Sequence, residues 1–371
     1  MTVVGVNLVW LVPGDVGGSE EYLVRQLEAL AATDEFELHL FVVRGFTDAH
    51  PCLASRCTIH LAPTDGRNRI ARVLLERTWL PRAIRRSRAD VVHHGGGTAP
   101  PAAGRPIVLT IHDVQYTRYP ETFRPIKLRW LRWSVPRAIE RASVIAVPSR
   151  FVADSLNVAG VVVVPNAAPV ATTVPTAEPL LRARLGLPGP VLLYPAITYR
   201  HKNHAVVIEA VARLARELPS LRLVLTGRAG PHDAEVERLI TSLGIAAMVV
   251  RPGRLPVEDL DGLYSFASAM VFPSRYEGFG VPVLEAMVHG VPVIAADATA
   301  LPEAVGAAGL LVDPDDIDGW VTAIRRVLAE PGLADTLIDH GRAHAAAFST
   351  TRSAAALATA YRGALISQTS P

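Results

Sequence analysis

The sequence predicts an α/β protein with two doubly wound domains, each built around a parallel sheet. Short runs rich in Val, Ile and Leu alternate with longer segments of helical period along the chain. Such runs are typical of strands that are covered on both faces. The alternation restarts after a segment rich in Thr, Pro and Ala at residues 170–190, which has the composition of a linker with one short helix.

The first domain is predicted to span residues 1–168. Six apolar runs are candidate strands: Val3–Val12, Phe36–Val43, Ala89–His93, Ile107–His112, Val144–Val147 and Val161–Val164. Three segments between them are candidate helices: Glu20–Ala32, Ile70–Arg85 and Ile126–Arg141. Parallel strands joined by helices require right-handed crossovers, so we expect helices on both faces of this sheet.

The second domain is predicted to span residues 169–350. Its candidate strands are Val191–Tyr194, Leu221–Thr226, Met248–Val250, Ala269–Phe272, Val291–Ala295 and Leu310–Val312. A closing helix within residues 351–371 is expected to pack back toward the first domain. Ligands bind outside the carboxyl ends of parallel strands, so we expect the two sheets to face an interdomain cleft.

The charge and cysteine content limit the function classes. A net charge of +2 is too small for a nucleic-acid binder, although residues 1–168 hold 20 Lys and Arg against 15 Asp and Glu. The two cysteines, Cys52 and Cys57, are too few for a disulfide framework. No apolar run is long enough to cross a bilayer. We therefore predict a cytoplasmic protein that is at most peripheral to the inner face of a membrane.

The segment 271–293, VFPSRYEGFGVPVLEAMVHGVPV, predicts an anion-binding turn. An apolar run ends at Ser274, and the turn that follows carries Glu277 and Gly280 before a helix that opens near Pro282. Glycines allow a ligand to approach the backbone, and a helix N-terminus offers free N–H groups to a phosphate. The alternative for Glu285 is a carboxylate in the first helical turn that only complements the helix dipole.

A second glycine turn follows the first strand. Gly17 and Gly18 precede a predicted helix and permit N–H groups to face a phosphate. The spacing is not GxGxxG, so a dinucleotide site has little support. The alternative is an ordinary βα loop with Ser19 as the helix N-cap.

Three histidines lie at predicted strand ends. His112, followed by Asp113, fits a general acid or base, or a hydrogen-bonding contact to a sugar hydroxyl. His93 and His94 end the preceding strand, and a metal site with His112 is an alternative without motif spacing. The Asp313-Pro314-Asp315 segment is predicted to be a turn and helix cap, so we assign no metal.

A cationic turn follows the first strand of the second domain. Arg200 and Lys202 precede a helix for which Asn203 is the expected cap. Cations ahead of a helix N-terminus would stabilise a diphosphate. The alternative is that both are ordinary surface cations.

At this point the motifs resemble those of a known family. The stretch PSRYEGFGVPVLEAMVHGVPVIA resembles the E-x7-E signature of retaining glycosyltransferases of family 4, which have the GT-B fold. The segments GGSEEYL, TIHD, VVPNA, RHKN and LPEAVGAAGLLVDPDD are also similar to those of the family. The resemblance therefore covers nearly the whole chain.

The resemblance implies roles for the predicted site residues. Gly17 and Gly18 would approach the diphosphate of the donor, and Lys202 would neutralise it. His112 would contact the sugar near the reacting carbon. Many members carry an Arg several residues before the Lys, where this chain has Ala196-Ile197, so Arg200 is predicted to replace it.

The E-x7-E segment would hold the rest of the donor. Glu277, with the backbone of Phe279 and Gly280, would bind the transferred sugar and the distal phosphate. Glu285 would bind the ribose hydroxyls of the nucleotide. No metal and no other cofactor is implied, because the leaving diphosphate would be stabilised by Lys202 and helix N–H groups.

The predicted function is retaining transfer of a hexose from a nucleoside-diphosphate sugar to a hydroxyl acceptor, in glycan, glycolipid or glycoconjugate synthesis. The acceptor class is a sugar, a lipid-linked or a small-molecule hydroxyl. GDP-mannose is the first expectation for the donor and a UDP-sugar the second, because TIHDVQYTRYPETF resembles segments of mannosyltransferases and related deoxyhexosyltransferases. The alternatives are a GT-B-like epimerase or phosphorylase and, third, a nicotinamide-dependent oxidoreductase.

The segment Arg124–Arg141 is basic and aromatic, and it carries Trp130 and Trp133 among six basic residues. This composition predicts peripheral contact between residues 124–141 and an anionic membrane. The alternative is a solvated helix face whose Trp side chains are in the core.

Overall fold

The computed structural model describes residues 1–15, 17–168 and 173–367 of the chain. The chain divides into two compact units. One unit contains residues 1–167 together with residues from 348 onward, and the other contains residues 168–347. The predicted boundary, between residues 168 and 169, is one residue from this division. Residue 169, the predicted start of the second domain, lies outside the described residues.

The first unit is built on a parallel sheet that has seven strands within the described residues. Their order across the sheet is β3-β2-β1-β4-β5-β6-β7. The strands are β1 (Thr2–Asn7), β2 (Phe36–Val42), β3 (Thr58–Leu61), β4 (Val91–His94), β5 (Ile107–Thr110), β6 (Val144–Val147) and β7 (Val161–Val163). In register, Val4 lies opposite Leu38 of β2 and Val91 of β4.

Helices cover both faces of this sheet. In chain order they are α1 (Gly18–Ala31), α2 (Phe46–Ala49), α3 (Pro51–Ala54), α4 (Arg69–Thr78), α5 (Leu80–Ser87), α6 (Gln115–Arg118), α7 (Pro125–Arg141) and α8 (Arg150–Leu156), with a 3-10 turn at Pro120–Thr122. Leu23 and Leu27 of α1 pack on one face. Ile84 of α5 and Val135 of α7 pack on the other.

The second unit repeats this design with a parallel sheet that has six strands among its described residues. Their order is β10-β9-β8-β11-β12-β13. The strands are β8 (Val191–Pro195), β9 (Arg222–Thr226), β10 (Val249–Gly253), β11 (Ala269–Phe272), β12 (Val293–Ala296) and β13 (Leu310–Val312). Each of the central strands β8, β11 and β12 is almost wholly buried.

The helices of the second unit begin after the linker. They are α9 (Glu178–Leu185), α10 (His204–Leu214), α11 (Asp233–Ser242), α12 (Val257–Phe266), α13 (Val281–Val288), α14 (Leu301–Val305), α15 (Ile317–Ala329) and α16 (Leu333–Ala346), with 3-10 turns at Arg200–Lys202 and Ala246–Met248. All strand neighbours in this sheet are parallel, so the helices are its crossover connections.

The last helix, α17 (Thr350–Ile366), belongs to the first unit. Leu357 and Tyr361 are fully buried in the same core cluster as α1. The Tyr361 hydroxyl lies 2.9 Å from His93 Nδ1, and His93 Nε2 lies 2.7 Å from Thr110 Oγ1. Burial lowers the pKa of His93 to about 3, so the ring is neutral in this network.

Three of the differences between the structure and the sequence prediction in the first unit have a physical cause that the contacts show. The first strand ends at Asn7 and not at Val12, because the Asn7 side chain accepts from the N–H of Val9 and turns the chain. The single helix predicted for Ile70–Arg85 is wrong, because Pro81 cannot donate to the preceding turn and α5 begins anew at Leu80. The edge strand β3 was not predicted, since it is short and only half-buried.

Removing the Tyr361 hydroxyl tests how α17 is held. Tyr361→Phe leaves His93 Nδ1 buried without this partner, and we expect the free energy of unfolding to fall by about 1–3 kcal/mol. Urea unfolding followed by tryptophan fluorescence suits this test, because four of the five tryptophans lie at positions below 168. As a control, Arg362→Gln on the same helix removes only a surface ion pair with Glu35 and should cost less than about 1 kcal/mol. Equal losses in the two variants would contradict the role given to the hydroxyl.

Candidate active site

The predicted glycine turn opens α1 in the first unit. Gly17 is the N-cap residue with φ 73° and ψ −137°, a combination that only glycine adopts without strain. Gly17 and Gly18 are exposed, and a Cβ on either would meet no heavy atom within 4 Å. This open space allows a ligand to approach the backbone. The alternative that Ser19 caps the helix is wrong, because Ser19 lies inside α1.

A buried carboxylate, which the sequence prediction missed, holds this turn. Glu20 Oε2 accepts a hydrogen bond from the N–H of Gly14 at 2.9 Å, and its Oε1 lies 2.9 Å from His50 Nε2. Glu20 is buried although it follows an exposed turn. Its signal in the sequence is weak, because an acidic residue in a first helical turn is common on charge grounds alone.

His112 follows β5 and is half-buried. Its Nε2 lies 2.9 Å from the carbonyl oxygen of Gly95 and donates to it, and its ring packs edge-on against Tyr22. Burial lowers the pKa of His112, while the Gly95 carbonyl and Asp113 oppose that shift. A neutral ring with its proton on Nε2 leaves Nδ1 as an acceptor for a hydroxyl group.

His93 and His94 are fully buried at the end of β4. His93 bonds to Tyr361 and Thr110, and His94 Nδ1 lies 3.3 Å from the Asn7 side-chain nitrogen. Burial lowers the pKa of His94 to about 3. Within residues 1–15, 17–168 and 173–367, no group of three His, Cys, Asp or Glu side chains could hold a metal ion.

In the second unit, the structure brings together Lys202 and Glu277. Lys202 Nζ donates to Glu277 Oε1 at 2.5 Å, and both side chains are mostly buried. The N–H of Glu277 donates to Thr299 Oγ1 at 3.0 Å, which fixes the turn after β11 to the loop after β12. The pair lies where strands β8 and β11 end, because Lys202 follows β8 and Glu277 follows β11.

Asn203 connects this turn to two others. Asn203 is the N-cap residue of α10, as predicted, but it adopts a left-handed conformation and its side chain makes no capping hydrogen bond. Instead, Asn203 Nδ2 donates to the carbonyl of Pro314, and its Oδ1 accepts from Arg275. Arg275 also pairs with Asp315, and its N–H donates to the His201 carbonyl. The sequence prediction missed Asn203 and Arg275 as positioning residues.

Arg200 lies on the same 3-10 turn as Lys202 but is exposed. Lys202 contacts Glu277 directly through its side chain. The family-typical Arg position at Ala196-Ile197 holds no cation, and the Arg275 side chain is engaged by Asn203 and Asp315.

The turn after Glu277 ends at α13. Gly280 is its N-cap with φ 109°, and a Cβ there would lie 2.7 Å from Leu301 Cδ2, so glycine is required. Phe279 is buried beside it. Glu285 lies one turn further along α13, so the alternative of a first-turn carboxylate is wrong. Glu285 Oε2 accepts from the Tyr264 hydroxyl at 3.2 Å.

The turn predicted at Asp313-Pro314-Asp315 is present, but the residue that caps the following helix is Asp316. The N–H of Asp315 donates to Asp313 Oδ1, and Asp316 caps α15 through a hydrogen bond from Gly319.

Two family models match the chain, one on each unit. The model described as "Glycosyltransferase Family 4" matches residues 16–171, and the model described as "Glycosyl transferases group 1" matches residues 181–344. The chain belongs to glycosyltransferase family 4. The turn with Glu277 and Glu285 lies inside the second match, so the most specific sequence motif of this glycosyltransferase falls in the matched region.

Relatives of this glycosyltransferase include two mannosyltransferases. The O-antigen chain mannosyltransferase B of Escherichia coli is 28% identical over 355 residues, which are 90% of this chain and 92% of that protein. A GDP-mannose-dependent alpha-(1-6)-phosphatidylinositol monomannoside mannosyltransferase of Mycolicibacterium smegmatis is 33% identical over 178 residues, 45% of this chain and 46% of that protein.

Solved structures show that the glycosyltransferase has the GT-B fold. Sucrose-phosphate synthase of Thermosynechococcus elongatus has a TM-score of 0.77 with 23% identity, and the match covers 98% of each chain. The Anabaena protein HepE in complex with UDP and glucose has a TM-score of 0.74 with 21% identity, over 98% of this chain and 100% of that chain. Among the described residues, no helix is long and apolar enough to cross a membrane.

His204, the first residue of α10, follows the Lys202 turn and makes the stability of the protein depend on pH. It is buried against the Tyr194 ring, and burial lowers its pKa to about 3, with the charge of Lys202 adding to the shift. The unfolded chain binds a proton near the ordinary histidine pKa of about 6.5, while the folded chain does not. Stability is therefore lost as pH falls below about 6.5.

When the pH falls from about 7.5 to about 5.5, a histidine that stays neutral in the folded state lowers the free energy of unfolding by about 1.4 kcal/mol. We expect His204→Phe to reduce the pH dependence of the second unit's unfolding free energy by about this amount. Urea unfolding at the two pH values, followed by circular dichroism, measures the change. Replacement of the exposed His340 by Gln is the control, and a similar reduction in that variant would contradict the prediction.

Proposed function

We propose that this glycosyltransferase moves a hexose, mannose or a related sugar, from a nucleoside-diphosphate sugar to a hydroxyl acceptor with retention of configuration. The observation that carries the proposal is the Lys202–Glu277 ion pair at the strand ends of the second unit. One member suits a diphosphate and the other suits a sugar with developing positive charge. The family membership supports the reaction class, and the mannosyltransferase relatives support the sugar.

In the proposed reaction, the donor diphosphate takes the place of the Glu277 carboxylate as partner of Lys202. The charge-assisted contact from Lys202 then stabilises the negative charge that grows on the leaving diphosphate. Glu277 is left free to bind sugar hydroxyls and to oppose the positive charge on the sugar ring. Both carboxylate and ammonium are mostly buried, which strengthens each of these interactions relative to water.

The other predicted donor contacts keep their proposed roles. Phe279 and Gly280 offer backbone groups to the sugar and distal phosphate, and Glu285 binds the ribose. Gly17 and Gly18 bring their backbone to the diphosphate, which the open space at both glycines supports. Arg200 assists Lys202 from the same turn.

His112 is proposed to contact the sugar near the reacting carbon. Its free Nδ1 accepts a hydrogen bond from a sugar hydroxyl, while the Gly95 carbonyl fixes the ring. Retention follows if the acceptor attacks from the face that the diphosphate leaves, with a departing phosphate oxygen taking the acceptor proton. Lys202 and the helix N-termini supply the positive charge in this proposal, so it includes no metal and no other cofactor.

GDP-mannose is the first donor that we propose. A relative described as GDP-mannose-dependent matches 45% of this chain. A UDP-sugar is second, and the Anabaena protein solved with UDP and glucose supports it. The acceptor is proposed to be a sugar, a lipid-linked or a small-molecule hydroxyl in polysaccharide or glycoconjugate synthesis.

The alternatives predicted from the sequence are less well supported. Epimerases and phosphorylases can share the GT-B fold, but the family models that match both units are described as glycosyltransferases. A nicotinamide-dependent oxidoreductase would need a dinucleotide fingerprint, and the turn at Gly17-Gly18 has different spacing.

A cytoplasmic location with contact between residues 124–141 and the inner face of a membrane is also part of the proposal. The structure contradicts the alternative in which the Trp side chains of this helix are in the core, because Trp130 and Trp133 are both exposed. Exposed aromatic and basic side chains on one helix support a peripheral membrane contact.

A panel of nucleotide sugars tests the donor. Binding and slow hydrolysis of GDP-mannose, UDP-glucose and related donors can be measured without knowing the acceptor. We expect GDP-mannose to bind most tightly and to release mannose. Tighter binding and faster hydrolysis of a UDP-sugar would move the assignment to the second donor class.

Substitutions in the Lys202–Glu277 ion pair are expected to affect donor binding and the rate of sugar transfer differently. Glu277→Gln should lower the rate of transfer or donor hydrolysis by about 100-fold or more, because the sugar loses its carboxylate. The same variant should bind the free nucleoside diphosphate more tightly, because Lys202 no longer has a competing partner.

Lys202→Ala should weaken binding of the free nucleoside diphosphate by about 10-fold or more, since it removes a charge-assisted contact. Isothermal titration with GDP and UDP measures both variants, and circular dichroism checks their folding. The control is Glu330→Gln, which removes a surface carboxylate paired with Arg326. If Glu277→Gln retained near-normal turnover, the proposed role of Glu277 would be wrong.

A further inference from the structure

A groove lies between two helices on one face of the first unit. It has a volume of about 190 Å³ and is lined by Val73 and Arg77 of α4, by Trp130 and Trp133 of α7, and by residues 98–101. Sites for drug-sized ligands usually exceed about 300 Å³. The groove is therefore large enough for a small headgroup and too small for a whole nucleotide sugar.

Exposed apolar side chains are concentrated on the two helices beside the groove. Of the fourteen large apolar side chains that are exposed among the described residues, five lie on α4 and α7, which together contain 27 residues. Those on α4 are Ile70 and Leu74, which are 75% and 57% exposed. Those on α7 are Ile126, Trp130 and Trp133, which are 86%, 39% and 47% exposed.

The spacing of these side chains places them on one face of each helix. Ile70 and Leu74 are four residues apart, and Ile126, Trp130 and Trp133 follow at intervals of four and three. Val73 and Arg77 of α4 line the same groove as Trp130 and Trp133 of α7, so the two apolar stripes lie on neighbouring helices. A single exposed Leu needs no explanation, but a patch of this kind indicates an interaction surface.

The same surface carries positive charge that the protein does not neutralise. Arg77, Arg137 and Arg141 line the groove, and none of them forms an ion pair with a carboxylate in the part of the chain that the structure describes. Partial burial and the neighbouring charge of Arg69 lower the pKa of Lys127 at the start of α7. Like charges are thus close together where the two helices begin.

Arg137 is already oriented for a ligand. Its Nη1 donates to the carbonyl of Trp133 at 2.8 Å, and its guanidinium lies 4.7 Å from the centre of the Trp133 ring. These contacts use one of its five N–H donors and fix the plane of the group, so less conformational entropy is lost when a phosphate binds.

The lining of the groove includes a buried hydroxyl without a hydrogen-bond partner among the described residues. Ser134 is 9% exposed, lines the groove and has no hydrogen-bond partner for Oγ within the described residues. Glu76 also lines the groove; it is buried and accepts from the Asn7 side chain, and burial raises its pKa. A buried hydroxyl without a partner costs stability, and a ligand oxygen in the groove would satisfy it.

These features fit a phospholipid more closely than another class of ligand. Phosphate oxygens match the guanidinium groups and the Ser134 hydroxyl. Acyl chains match Ile70, Leu74 and Ile126, and tryptophan is favoured at the boundary between lipid chains and water. A carboxylate-rich protein partner would match the charge but would leave these apolar side chains exposed.

We propose that α4 and α7 form one surface that docks on an anionic lipid bilayer. In the groove between them, Arg77, Arg137 and Arg141 bind the phosphate of a lipid headgroup. This surface is two helices wide and contains a defined headgroup site, so it goes beyond contact through residues 124–141 alone. It does not depend on the identity of the donor or on sugar transfer.

Vesicle binding by the full chain tests the proposal without any nucleotide sugar. The protein should sediment with vesicles of phosphatidylcholine and phosphatidylglycerol at low salt, and much less with phosphatidylcholine alone. High salt should weaken binding, because the charges are screened. Equal binding to the two kinds of vesicle, or none to either, would overturn the proposal.

Variants separate the headgroup site from general charge attraction. Arg137→Gln with Arg141→Gln should weaken binding to the anionic vesicles by about 30-fold, at about 1 kcal/mol for each cation near the surface. The matched control is Arg85→Gln with Arg86→Gln, which removes the same charge from exposed positions on α5 that do not line the groove. If both double variants lost binding equally, the groove would have no specific role.

Two further variants test insertion and the hydroxyl. Leu74→Ser with Ile126→Ser replaces two exposed side chains, so the fold should be unaffected while vesicle binding falls by about 10-fold or more. Ser134→Ala should weaken vesicle binding without lowering the unfolding midpoint, because its hydroxyl has no internal partner. A loss of stability with unchanged vesicle binding would show that Ser134 serves only the fold, and would overturn its part in the site.

Discussion

Parallel strands that are buried on both faces leave few places for a polar side chain, and this constraint organises the protein. The central strands of each sheet consist almost entirely of buried Val, Leu, Ile and Ala. Polar groups therefore collect at the strand ends, where the backbone leaves the sheet. Asn7, His94, Lys202 and Glu277 all occupy such positions. The location of the reactive residues follows from the sheet, because its buried strand interiors exclude charged side chains.

At the carboxyl end of the second sheet, two side chains of opposite charge form an ion pair. Lys202 and Glu277 satisfy each other in a mostly buried place, where an isolated charge would be costly. The surrounding turns are fixed by bonds that cross between loops, from Glu277 to Thr299, from Asn203 to Pro314 and from Arg275 to Asn203. A site held in this way keeps its geometry while the partner of the cation changes from carboxylate to phosphate.

The sequence predicted the parts of this protein that depend on local pattern. Seven of the twelve predicted strands agree with the observed bounds to within one residue at both ends on the strength of apolar runs alone. Three of the seven, Val144–Val147, Ala269–Phe272 and Leu310–Val312, have the same bounds in the structure. The glycines at 17 and 280 could be singled out because their turns need conformations that other residues avoid. Long-range contacts were not predictable: Glu20 closes its loop through Gly14 and His50, and Asn203 bonds to Pro314, 111 residues away.

The first unit is assembled from two distant parts of the chain, and this arrangement determines when the unit can complete its folding. The first unit contains residues 1–167 but also needs α17, which places Leu357 and Tyr361 in its core. During synthesis, the strands of the first unit leave the ribosome before any residue of the second, yet that core is incomplete until the last helix emerges. The second unit is contiguous and can fold as soon as residue 347 is free. The unit whose strands are made first is therefore completed after the second unit, and the apolar face that α17 covers stays exposed until that helix has emerged.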